Sequence, residues 1–249
     1  MSPRRRLDSE LVRRGLAESQ PDAERLIGLG RVRVQGARAD KATRMVAPGD
    51  AVVVDGPPAR FVGRGGEKLD HALELFGIDV RGRRAADIGA STGGFTDCLL
   101  QRGAASVLAL DVGHGQLDQR LRLDDRVCVV ERMHVNDALP ASLDGPFDIV
   151  VVDVSFISLT KVAAAIVRGF ARPGADIVAL VKPQFEVTKA VASRGKGVVT
   201  DADERSAAVG RVSSALEASG ATIMGVVDSP ITGASGNQEY LLYAHRPEA

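Results

Sequence analysis

The stretch A-D-I-G-A-S-T-G-G-F-T-D, residues 86–97, places an apolar lead-in before a glycine-rich turn and helix-forming residues after it. In an open α/β sheet such a turn lies at the carboxyl end of a strand, where nucleotide-like ligands bind. Glycines there let a ligand approach the backbone closely. A dinucleotide site would show G-x-G-x-x-G, but this turn reads G-x-x-x-G-G behind an aspartate, Asp87. Asp111 closes the next strand about 20 residues on, where an acid binds ribose hydroxyls. The pattern suits S-adenosylmethionine better. That ligand has no pyrophosphate, and it has an ammonium that an aspartate can anchor. Taken alone, the motif leaves dinucleotide binding and a tight structural turn open.

Four charged residues stand at the ends of apolar segments. Asp153 follows the run 149–152 and Lys182 follows the run 177–181. Lys68 lies on the helix before the glycine-turn strand, and Glu239 opens the last strand after the loop T-G-A-S-G-N. Each one singly is equally a solvated strand-end charge. Several on one rim suit proton transfer. A ribose 2′-hydroxyl is a poor nucleophile, and a neutral lysine amine can take its proton. An ordinary lysine titrates near 10.4 and must fall by roughly 3 units to act at neutral pH. A second lysine and a sulfonium charge push it down; a carboxylate opposes that shift but holds the amine in place.

The surrounding elements are those of a doubly wound sheet. Strands are expected at 83–90, 106–113, 126–131, 147–156 and 176–185, with helices at 67–78, 93–104, 158–175 and 201–220. The segments 221–231 and 236–246 have no helix between them and read as an antiparallel edge hairpin. Before residue 60 the chain reads as a small α/β unit, with helices around 6–16 and 19–30 and a strand from Arg31 to Val34. Two prolines and four glycines in residues 56–66 mark a linker. The expected organisation is a domain over 1–59, a linker over 60–66 and a larger domain over 67–249.

Composition bounds the rest. Net charge is zero, yet residues 1–64 hold 13 Lys+Arg against 8 Asp+Glu. A basic segment on an acidic body points to a polyanion partner. No apolar run approaches the ~20 residues of a membrane span, and the N-terminus lacks a signal peptide's apolar stretch. A cytoplasmic protein is expected. Cys98 and Cys128 form neither a disulfide framework nor a zinc site and are expected as core thiols.

The motifs D-I-G-A-S-T-G-G-F-T-D, D-V-S-F-I-S-L, V-K-P-Q-F-E and G-N-Q-E-Y-L occur in an order that resembles the TlyA family of S4-domain ribosomal RNA methyltransferases, related to the FtsJ-type 2′-O-methyltransferases. The resemblance covers nearly the whole chain. It implies a Rossmann-like class I methyltransferase fold with a seven-stranded sheet, preceded by a small S4-type RNA-binding domain. It implies S-adenosylmethionine as methyl donor and a cytidine 2′-hydroxyl of 16S and/or 23S ribosomal RNA, free or in ribosomal subunits, as target. By similarity, the Lys-Asp-Lys-Glu tetrad falls on Lys68, Asp153, Lys182 and Glu239, with Lys182 as the base. The cofactor residues are expected at Asp87, Gly89, Ala90, Ser91, Gly93, Phe95 and Asp111, and no metal is expected. Phe95 stands where these enzymes commonly have Trp. The segment E-R-M-H-V-N-D departs from the family pattern and contributes no expected adenine contact. Arg4, Arg5, Arg6, Arg13, Arg14, Arg25, Arg31, Arg33 and Lys41 are expected to grip RNA phosphates. The competing readings are a non-enzymatic RNA-binding or ribosome-assembly factor, a haemolysin, a name some family members carry, and an NAD-dependent reductase.

Overall fold

The computed structural model describes residues 4–17, 19–28, 30–56 and 60–248. Its contacts divide the chain into two units, Met1–Ala59 and Arg60–Ala249.

The first unit begins with β1 (Arg5–Arg6), α1 (Leu7–Arg13), α2 (Gln20–Gly28), β2 (Val32–Val34) and β3 (Ala37–Arg38). It closes with β4 (Met45–Val46) and β5 (Val52–Val54). β1 pairs with β4, and β3, β2 and β5 form an antiparallel sheet in that order. Gly15 ends the first helical segment at φ +68°, a conformation glycine adopts freely. The Ser19 hydroxyl accepts the Asp22 amide at 3.3 Å, as a helix cap should. Leu7, Leu11, Ala23, Leu26, Ile27, Val32 and Val34 make a small core.

Three carboxylates are buried beside that core, and each is paired. Asp8 meets Arg6, Glu10 meets Arg13 and Arg14 (both 2.7 Å), and Asp22 meets Arg25 at 2.7 Å. Hydrogen bonds from Arg6 hold the Asp8 carboxyl down at about 2, and those from Arg13 do the same for Glu10.

The second unit runs α3 (Gly65–Leu75), β6 (Arg84–Ile88), α4 (Gly94–Gln101), β7 (Ser106–Asp111), α5 (Gln119–Arg122), β8 (Val127–Glu131), β9 (Phe147–Val152) and β10 (Ala171–Val181). It ends with α6 (Pro183–Glu186), α7 (Lys189–Arg194), α8 (Ala202–Ala218), β11 (Thr222–Asp228) and β12 (Tyr240–His245). The seven strands lie in the order β11-β12-β10-β9-β6-β7-β8. β12, slotted between β10 and β11, runs antiparallel to both, and the other neighbouring strands pair parallel. Both faces are covered, so the central strands are apolar throughout. Ala86, Ile88, Val150, Val152, Ile177 and Ala179 pack under α8 and the turns 162–170. Ala85, Ile149, Val151, Val178 and Leu180 pack under α3 and α4.

Three expectations need correction. The helix expected over 158–175 ends as a π-type segment at Phe170, because Ala171 already pairs with Phe147 of β9. Pro173 and Gly174 fall in the irregularity between that pair and Asp176. Cys98 is buried as expected, its thiol pushed up to about 12 by burial, but Cys128 is exposed on the edge strand β8. Residues 60–66 are built into the second unit. Phe61 is buried against α3 and α4, and the Val62 amide donates to Asp97 at 2.8 Å.

The depressed carboxyls of the first unit stabilise it fully above about pH 4.5, and that contribution is lost as pH falls toward about 2. Glu10→Gln should therefore melt several degrees below the native full-length chain at neutral pH. The gap in melting temperature should close as the pH is lowered from about 5 to about 2. A gap that stays constant over that range would count against the pairing.

Candidate active site

β6 and β9 are neighbours, and the strand order reverses between them: from β6 the chain proceeds to β7 and β8 on one side, then returns to β9 on the other. The helix after β6 packs on one face of the sheet and the turns after β9 on the other, leaving a crevice at the strands' carboxyl ends. The glycine turn occupies this point. Gly89 adopts φ +88°, and a Cβ on it would lie 2.5 Å from the carbonyl oxygen of Asp153. Gly93 adopts φ +97° as the residue before α4. A side chain there would run into Leu117 and Leu121.

Asp111 organises the outer side of the turn. Its Oδ2 accepts the Ser91 amide at 2.8 Å and its Oδ1 the Gly113 amide at 2.6 Å. Each oxygen keeps a further lone pair for a ligand hydroxyl. Between Asp111 and Asp153 lies a cavity of about 630 Å³, ample for a nucleoside-sized ligand. Gly89, Ser91, Asp111 and Asp153 line it. So do Gln116, Ser155 and Phe156, and the run Met133, His134 and Val135 that follows β8.

Asp87, Ala90, Gly93 and Phe95 do not reach that wall. Phe95 is a core residue, 3% exposed, packed on the Gly65 end of α3. Asp87 lies beneath the turn, fully buried, with Oδ2 accepting the Thr96 hydroxyl at 2.6 Å and Oδ1 without a partner. Burial pushes its carboxyl up to about 7; the negative charges of Asp153 and Asp111 add to the rise, and Thr96 opposes it.

The four strand-end charges form two pairs. Lys182, just past β10, places Nζ 2.5 Å from Asp153 Oδ1. That oxygen lies off the direction a hydrogen bond needs. The amine's directed bond goes to Ser155 Oγ at 2.9 Å. Lys68, on α3, donates to Glu239 Oε2 at 2.6 Å, and both are buried. Glu239 is set at the start of β12 by its loop, where Asn237 accepts the Val199 amide and donates to the Gly197 carbonyl. Gly65, at the start of the helix that carries Lys68, lies near Asp153: a Cβ there would come 3.9 Å from Asp153 Oδ2.

Residues 61–246 match the FtsJ-like methyltransferase family and residues 5–52 match the S4 domain. The chain belongs to the FtsJ-like methyltransferase family. This methyltransferase is 50% identical to the 16S/23S rRNA (cytidine-2′-O)-methyltransferase TlyA of Mycobacterium tuberculosis, over 98% of the chain and 90% of the relative. It is 39% identical to Hemolysin A of Brachyspira hyodysenteriae, over 96% of the chain and 98% of the relative. A solved structure from Streptococcus thermophilus, also named as a haemolysin, superposes with a TM-score of 0.82 at 36% identity. That superposition covers 100% of this chain and 90% of the other. Among the described residues of this methyltransferase, no helix is long and apolar enough to cross a membrane. Nor does any group of three or more His, Cys, Asp or Glu among them make a metal site.

The sequence reasoning missed Met133, His134, Val135, Gln116 and Ser155. The one available signal for the first three was position, immediately after a parallel strand of the sheet.

Gly89→Ala should cost about 1–3 kcal/mol in backbone strain alone. The collision with the Asp153 carbonyl adds to it. A thermal melt should show a loss of roughly 2 °C or more per kcal/mol. An unchanged melting temperature would show that the turn tolerates a side chain.

Proposed function

We propose that the protein transfers the methyl group of S-adenosylmethionine to a cytidine ribose 2′-hydroxyl of ribosomal RNA. In this reading residues 1–59 hold the RNA, residues 67–249 carry the reaction, and ribosomal RNA, free or in a ribosomal subunit, is the partner in the cytoplasm. One observation carries it: Asp153, paired with Lys182 behind it, lines a nucleoside-sized crevice, in a chain half identical to a 2′-O-methyltransferase.

The residues present suit the methyl donor. Asp111 offers lone pairs to ribose hydroxyls, and Gly89 lines the crevice. The partnerless Oδ1 of Asp87 beneath the turn suits a cation. Asp87, Gly89, Ala90, Ser91, Gly93 and Asp111 are the residues we assign to it, with Phe95 acting from the core behind them. Bound S-adenosylmethionine supplies a methyl group on a positively charged sulfur. Lys182 Nζ accepts the proton that the ribose hydroxyl gives up, and Asp153 holds the amine where it can do so. Lys68 and Glu239 neutralise each other in a dry position.

Lys182→Ala should abolish methyl transfer to ribosomal RNA while calorimetric binding of S-adenosylmethionine stays nearly unchanged. Full turnover by that variant would sink the assignment. Binding of the donor should also depend on pH. A cation favours ionised Asp87, so affinity should rise with pH up to and through about 7 and then level off. Asp87→Asn should flatten that rise. Mapping 2′-O-methyl sites on ribosomal RNA with and without the protein tests the substrate.

A further inference from the structure

The loop that follows Asp153 is held in an unusual shape. Phe156 adopts φ +65° although it is bulky, and its side chain is 92% exposed. Such a conformation is an outlier for a non-glycine residue and persists where the surroundings enforce it. Two ties enforce it here. Glu186, the last residue of α6, accepts the Ser158 hydroxyl at 2.5 Å and the Leu159 amide at 2.8 Å. The Phe156 ring leans on Phe185 of the same helix, 5.3 Å between centroids. Since α6 starts directly after Lys182, the loop after β9 is clamped to the segment that carries the lysine.

The clamp presents Ser155. Its Oγ receives the directed hydrogen bond from Lys182 Nζ at 2.9 Å. Ser155 lines the crevice, whereas Lys182 stands behind the wall, 9% exposed. Asp153 is nearer to the amine but does not set its direction.

We propose that Ser155 is a positioning residue for the reaction, and that its hydroxyl aims the Lys182 amine at the crevice. The role rests on the reading of Lys182 as the proton acceptor. Asp153 supplies charge, which fixes distance, and Ser155 supplies direction. The strained Phe156 and the Glu186 clamp keep the hydroxyl in place. No bond to Ser155 is made or broken in the reaction.

The test compares Ser155→Ala and Ser155→Thr with the native chain and with Lys182→Ala, using ribosomal RNA and labelled S-adenosylmethionine. Ser155→Ala should lower kcat by about 10- to 100-fold, as a misaimed group does. Its KM for RNA and its calorimetric affinity for S-adenosylmethionine should stay within about twofold of native. Ser155→Thr keeps the hydroxyl and should recover most of kcat. The proposal is overturned if Ser155→Ala turns over normally, if it loses donor affinity in step with kcat, or if Thr does not rescue it. An active Lys182→Ala would instead remove the reading beneath the proposal, and an inactive Lys182→Ala with a fully active Ser155→Ala would remove the proposal alone.

Discussion

The constraint on which the crevice depends is the approach of Gly89 to the carbonyl of Asp153. Two parallel strands, β6 and β9, end side by side, and their chains must then turn away to opposite faces of the sheet. The turn after β6 clears the end of β9 only because residue 89 has no Cβ. That clearance sets the Asp153 backbone and the glycine turn in one fixed relation. The crevice, the acid at Asp111 and the lysine at Lys182 all take their positions from strands registered against these two.

Charge is arranged around this point with little net excess. Lys68 cancels Glu239, and Asp153 lies against Lys182. Asp87 is the exception, fully buried with one oxygen partnerless and its titration pushed up to about 7 by burial. A buried carboxyl in that state costs folding energy near neutral pH, because the unfolded chain ionises it freely. In the reading proposed above, the ammonium of the methyl donor recovers that cost.

Much of this was legible in the sequence for physical reasons. Buried parallel strands demand unbroken apolar runs, so the charges that end them, Asp153 and Lys182, mark strand ends by contrast. Asp201, the first residue of the segment expected as a helix over 201–220, caps α8 and accepts its first amides. Other features leave no local trace. The insertion of β12 between β10 and β11, which carries Glu239 to the site, is a matter of long-range pairing. Phe95 is expected at the cofactor by resemblance, but its place on α4 turns it into the core. Ser155 and Phe156 follow a strand whose pattern says nothing about the reversed backbone there. Only the contact with α6, some thirty residues later in the chain, explains it.

The basic first unit carries a related lesson about counting charges. Its excess of Lys and Arg suggested a loose electrostatic grip on a polyanion. Yet Arg6, Arg13, Arg14, Arg25 and Arg33 each meet a carboxylate within the unit. Three of those carboxylates are buried, so they anchor guanidinium groups that would otherwise sample many rotamers. A phosphate arriving at such an arginine gains less Coulomb energy, because part of the charge is already compensated. It meets a donor whose conformational entropy has already been given up. For the RNA-holding role proposed for residues 1–59, this trades raw affinity for fixed geometry.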